Sequence, residues 1–267
     1  MNAMVPRPTS LTRALAKRVL PAGLRRAVRV YGRPVWPPVG LVRFGALRRL
    51  TPVSRTFGER GVAIDRYYIE RFLEEQAGRE DYVAGDIRGT VLEVGDDFYA
   101  RRFGRWGDAA SAVERVDVLS ADEAASGVTI VGDLAAPEDL PEDEYDCIIC
   151  TQVLLLVYDL HAAVRSLHRM LKPGGVALVS VPGLSPLCRP DVSLRGDHWR
   201  FTTLSIRRLF EEAFPPASVR VESHGNVLSC VAFLHRLGAE ELRPAELDLH
   251  DPDYELVITV RAVKAPR

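Results

Sequence analysis

The chain has 267 residues, 47% of them hydrophobic, 27% charged and 7% aromatic. It is too apolar for a disordered chain, carries no collagen-like or low-complexity repeat, and is long enough for one large α/β domain plus a lead-in segment. The formal net charge of −1 conceals a division: residues 1–60 hold 13 Lys and Arg against one acid, Glu59, a net of +12, which leaves −13 on the rest.

In chain order, Leu11, Leu15 and Val19, then Leu24 and Val28, predict one or two basic amphipathic helices over residues 10–31, broken at Pro21 and Gly23. Pro34, Pro37 and Pro38 around Trp36 predict an extended linker. The spacing of Ile64, Tyr67, Tyr68 and Phe72 predicts a helix over 64–76. From Thr90 onward strands and helices alternate. Strands are expected at 91–94, 116–119, 128–131, 145–150, 176–181, 219–223 and 256–263. Helices are expected at 160–171, 203–214 and 227–237. This alternation predicts a doubly wound, mostly parallel sheet of seven strands, with its ligand site beyond the carboxyl ends of the strands. The expected domains are a basic, helical or irregular extension at 1–60 and an α/β domain at 61–267.

Four cysteines in a chain of this length do not suggest a disulfide framework. Cys147 and Cys150 form a C-x-x-C inside an apolar strand, where residues three apart face opposite ways, so they are read as buried apolar side chains rather than half a metal site. No metal site is predicted. No apolar run approaches the roughly 20 residues of a membrane span, and a cytoplasmic setting is the default reading. The basic leader could touch a membrane surface, wrap the acidic body or meet a partner subunit, with a homodimer left open. No nucleic-acid motif accompanies it.

Three elements line up along the body. Val91-Leu92-Glu93-Val94-Gly95-Asp96-Asp97 is a strand entering an acidic, glycine-containing turn. Asp117 follows about twenty residues later, at the end of the next strand. The third is the block from Asp146 through Thr151 and Gln152 to Leu171-Lys172-Pro173-Gly174-Gly175. Together they resemble the class I S-adenosylmethionine-dependent methyltransferases, in particular the broad small-molecule "type 11" group. Gly196-Asp197-His198-Trp199-Arg200-Phe201-Thr202 is similar to a segment of members encoded beside glycosyltransferase and polysaccharide genes.

The resemblance implies a Rossmann-like fold, S-adenosylmethionine as cofactor, and a small-molecule acceptor such as a sugar or glycosylated metabolite. It implies cofactor contacts from Glu93, Gly95, Asp96 and Asp97 in the turn, Asp117 at the ribose, Asp133 and Leu134 at the adenine, and Thr151 and Gln152 at the pocket floor. An acid suits the ribose because a carboxylate accepts from both hydroxyls, and Gly95 lets backbone approach the ligand. Asp97 departs from the family's second glycine, and Phe98 and Tyr99 follow it. Arg66, Tyr67 or the Arg101-Arg102 pair could then compensate at the cofactor carboxylate.

Some relatives carry a Glu-His pair just after strand four, where this chain has Leu155 and Leu156. A base must come from elsewhere. His198 is the first candidate, with Asp197 beside it, and His224 the second. Trp199 and Arg200 are candidate substrate contacts. The competing reading is a methyltransferase-fold protein that binds, scaffolds or catalyses a non-methyl reaction, with Phe98 and Tyr99 filling the pocket.

Overall fold

The computed structural model describes residues 42, 43, 45–78, 85–107, 112–125, 127–189, 192 and 195–266. The chain divides into two compact units, residues 1–50 and 51–267. In the first, a 3-10 turn spans Gly45–Leu47. The helices expected over 10–31 and the proline linker lie outside the described residues.

The second unit is built on seven strands: β1 (Gly89–Val94), β2 (Val113–Ser120), β3 (Ile130–Val131), β4 (Tyr145–Thr151), β5 (Leu171–Pro182), β6 (Val219–His224) and β7 (Val257–Val263). Their order in the sheet is β3-β2-β1-β4-β5-β7-β6. The pairs among β1 to β5 are parallel, and β7 runs antiparallel between β5 and β6. The order reverses between β1 and β4, so a crevice opens beyond their carboxyl ends. Helices α1 (Ile64–Gln76), α2 (Phe98–Phe103), α3 (Leu160–Met170), α4 (Thr203–Glu211), α5 (Val227–Leu234) and α6 (Pro244–Leu247) complete the unit.

Apolar side chains on the two sheet faces make two cores. Leu92, Ile148 and Val179 pack on one side with Leu167 of α3 and Phe210 of α4. Val91, Ile149 and Leu178 pack on the other with Ile69 of α1 and Phe233 of α5. Cys150 belongs to the first core and Cys147 to the second, both fully buried. The C-x-x-C therefore straddles the sheet, as strand alternation requires, and burial pushes the Cys150 thiol up to about 12.

Local chemistry fixes the elements that frame the crevice. Asp159 caps α3 by accepting the Ala162 N–H at 2.9 Å, and Thr202 with Ser205 forms a capping box on α4. Lys172, which starts the Lys-Pro-Gly-Gly stretch of β5, pairs at 2.6 Å with Asp146, whose carboxylate also accepts the Thr90 N–H. Gly89 lies against that carboxylate, and a Cβ there would stand 2.4 Å from an Asp146 oxygen. On the edge strand β6, Arg207 of α4 donates to the outward carbonyls of Val219 and Val221, both at 3.3 Å. This occupies groups that would otherwise template another strand.

One expectation needs correction, and one element was not foreseen. β3 is only two residues long rather than four, because its pairing with β2 is limited to Leu119 with Ile130 and Ser120 with Val131. Residues 98–103, to which no element was assigned from sequence, form α2, whose N-terminal cap comes from β1 and is invisible to local pattern.

Candidate functional site

A cleft of about 540 Å³ lies beyond the carboxyl ends of β1, β2, β3 and β4, at the reversal of strand order. Of the residues singled out from sequence, its wall includes Gly95, Asp133, Leu134 and His198. Ser120, Tyr158 and Arg195 also line it. Sequence reasoning passed over all three.

The turn after β1 is shaped by Gly95, whose φ of 110° disfavours any side chain and whose missing Cβ would face open space. Glu93, 2% exposed, does not reach into the cleft. Its carboxylate accepts the N–H groups of Tyr99 at 3.1 Å and Ala100 at 2.7 Å, capping α2 from within the sheet. Burial outweighs those bonds and raises its pKa to about 7. Asp96 accepts the Phe98 N–H at 3.0 Å. Asp97 has φ −112°, a conformation open to any residue, and its carboxylate pairs with Arg101 one turn along α2. The second glycine of the resemblance is thus not needed in this turn. Phe98 is exposed and Tyr99 is buried in the core below α1, so neither fills the cleft.

Beyond β2 the structure corrects the expected strand end. Asp117 lies three residues before Ser120, inside the strand. It accepts from the Tyr145 hydroxyl at 3.1 Å and pairs with Arg115. The acid nearest the carboxyl end is Asp122, whose N–H donates to Ser120 Oγ at 3.0 Å and whose carboxylate stands 3.9 Å from the Arg195 guanidinium. Asp133, two residues past β3, accepts the Ala135 N–H at 2.9 Å, and Leu134 is buried beside it.

After β4, Gln152 holds a φ of 56°, uncommon for a residue with a side chain. Its N–H donates to Ser180 at 2.9 Å and its amide reaches the Ser180 hydroxyl at 3.5 Å. Thr151 and Gln152 therefore underlie the cleft without lining it. A 3-10 turn over Leu154–Leu156 follows.

The segment around His198 is fastened to this turn. The N–H groups of His198 and Trp199 donate to the Leu155 carbonyl at 2.8 and 3.3 Å, and the Trp199 indole donates to Val157 at 3.0 Å. Leu155 thus contributes its backbone carbonyl to the site. His198 is exposed at the rim, its ring edge-on to Tyr158 with centroids 5.4 Å apart. Asp197 turns the other way. Its fully buried carboxylate receives two bonds from Arg200 and the Cys188 N–H, and the Arg200 bonds hold its pKa below the usual carboxylate range. Arg200 also donates to the Ser185 carbonyl at 3.1 Å, so this pair folds the segment.

His224, the second candidate base, ends β6 away from this cleft. It stacks on Tyr68 at 5.8 Å, shares a hydrogen bond with Thr259, and burial lowers its pKa to about 4, which makes it a weak base at neutral pH. Arg66 donates to the Tyr99 hydroxyl at 3.0 Å, and Tyr67 to Asp248 at 2.7 Å; neither lines the cleft. Among the described residues no group of three or more His, Cys, Asp or Glu is arranged to hold a metal ion, and no helix is long and apolar enough to cross a membrane.

Residues 64–213, more than half the chain, match the model of the family described as "Methyltransferase domain". The chain belongs to the class I S-adenosylmethionine-dependent methyltransferases. Among solved structures, this methyltransferase is similar to an S-adenosylmethionine-dependent methyltransferase from Mesorhizobium loti at 17% identity, with 76% of this chain and 98% of that chain covered and a TM-score of 0.45. Phosphoethanolamine N-methyltransferase 2 of Haemonchus contortus, solved with S-adenosyl-L-methionine, is similar at 14% identity over 75% of this chain and 53% of that one, with a TM-score of 0.47. A methyltransferase from Archaeoglobus fulgidus is similar at 12% identity over 74% and 94%, with a TM-score of 0.47. No curated protein matches the chain.

Proposed function

We propose that this methyltransferase transfers a methyl group to a hydroxyl of a sugar or glycosylated metabolite, with His198 as the base. The observation that carries this reading is the placement of His198: exposed at the cleft rim, fixed from below by the Leu155 carbonyl, and beside Tyr158. Amine acceptors need no such base when they arrive unprotonated, whereas an alcohol must lose a proton as it is methylated.

The cleft suits the cofactor. Its volume of about 540 Å³ is that of a small-molecule site, and Gly95 leaves open space beside the β1 turn. We assign the adenine to Asp133 and Leu134, and the ribose to Ser120 and Asp122 in place of Asp117. The methionine end falls at the turn around Gly95. When bound, the cofactor supplies an activated methyl group on a sulfonium. The protein's own part is to hold the acceptor in line and keep its orientation, where most of the acceleration in such a displacement resides. A ring nitrogen of His198 would take the hydroxyl proton as the methyl group passes to that oxygen, its bond to sulfur breaking and the neutral thioether leaving. Trp199, beside Tyr158 at 5.8 Å, extends an aromatic surface suited to the C–H face of a sugar. Arg200 and Asp197 keep that segment in place.

The test is release of S-adenosylhomocysteine in the presence of glycosides with free hydroxyls. Turnover that requires His198 is expected. Methylation of amines alone, or turnover unchanged in His198→Ala, would sink the assignment.

A further inference from the structure

A second cavity, of about 580 Å³, opens between the start of α4 and the edge strand β6. It lies outside the cofactor cleft, but β6 runs parallel to β5 and β4, so its His224 end faces the same side of the sheet as the cleft. The cavity begins at Thr203, five residues beyond His198, a chain distance of at most roughly 17 Å. We propose that this cavity binds a neutral sugar unit of the methyl acceptor, next to the unit whose hydroxyl is methylated at His198. The inference rests on the sugar-acceptor reading above.

The chemistry of the walls selects the ligand. Apart from imidazoles, one cation and one anion line the cavity, Arg207 and Glu222, so neither an anionic nor a cationic ligand is favoured. Glu222 is exposed and, among the described residues, its carboxylate meets no donor, leaving acceptor capacity for hydroxyl groups. Ser223 and His250 are joined at 3.0 Å and present a hydroxyl and a ring nitrogen side by side. Leu204 adds an apolar shelf, 59% exposed at the mouth. Donors, acceptors and one apolar face without net charge are what a neutral polyhydroxylated ring requires.

The wall is also built in advance. Asn226, 4% exposed, donates from its amide to the carbonyls of Glu246 and Leu249, both at 2.7 Å, and so pins the loop that carries His250. A ligand meets a preset surface rather than ordering a loose one, which lowers the entropy lost on binding. Binding a remote unit would hold the reacting hydroxyl in place without touching it.

The experiment is saturation-transfer NMR with five methyl glycosides (gluco, galacto, manno, rhamno and N-acetylglucosamine) on the full chain with S-adenosylhomocysteine present. At least one glycoside is expected to bind the native protein. Its affinity should fall about tenfold or more in Glu222→Ala and in His250→Ala, both exposed positions, while S-adenosylhomocysteine binding by calorimetry stays the same. Binding of none of the five overturns the proposal, as does binding that survives both substitutions. Binding lost in His198→Ala but kept in Glu222→Ala places the sugar in the cleft alone and overturns it as well. Because methyl transfer is not the readout, absence of turnover would count against the hydroxyl-acceptor reading and leave this result distinct.

Discussion

The imidazole of His198 stands at the cleft rim because the backbone beneath it is fastened twice to Leu155, and because Arg200 draws the neighbouring Asp197 carboxylate away. Replacing His198 with Gln keeps the side chain's approximate volume and removes the base. We expect kcat to fall about 100-fold or more, with a far smaller loss of S-adenosylhomocysteine affinity, measured by steady-state rates and calorimetry. Equal losses in both would mean that His198 serves cofactor binding. Glu93 poses the opposite electrostatic case. Its folded pKa, about 7, lies above the ordinary 4.5, because burial disfavours the charged form. A raised carboxyl pKa contributes stability that is full below the unfolded value and lost as pH climbs through the folded one. Wild type should therefore lose melting temperature relative to Glu93→Gln between about pH 4.5 and 7. Melting curves of the two proteins across that range supply the check, and a constant difference would refute it.

Among elements, α2 shows how little local sequence can say. Six residues with no side-chain cap of their own begin a helix because a glutamate on β1 meets their N–H groups. The same arrangement explains why Asp97 is tolerated where the resemblance implies a glycine: the chain leaves the turn in an ordinary conformation and enters a helix. α5 is a different matter, since its cap is local. Asn226 accepts the N–H groups of Leu228 and Ser229 while its amide holds the loop after α6. Asn226→Ala should lower stability by about 2 kcal/mol or more in urea unfolding, the upper range for a lost cap, since two carbonyls also lose their donor. A loss under about 0.5 kcal/mol would show that water replaces the amide at no cost.

For the molecule as a whole, the cleft gathers residues from the ends of four strands and one distant segment, so a ligand there joins most of the second unit. S-adenosylhomocysteine at about one hundred times its dissociation constant adds roughly 2.7 kcal/mol to the folded state. For a unit of this size that corresponds to a rise in melting temperature of roughly 5–10 °C, read by scanning calorimetry. No rise would contradict the cofactor site. The fold class, the strand–helix alternation and the opposed cysteines of the C-x-x-C were legible in the sequence, because side-chain periodicity and turn residues act over a few positions. The division of charge was legible too, since it is a count. What the sequence did not reveal was which acid ends β2, that Glu93 caps a helix, and that Tyr158 and Arg195 meet His198 across one cleft. Those facts depend on sheet register and on contacts between residues tens of positions apart. Asp117 illustrates the limit: its spacing suited the ribose, but parallel pairing with β1 carries β2 on to Ser120 and leaves Asp117 within the strand, bonded to Tyr145. Local pattern determined the elements; only packing decided which of their ends converge.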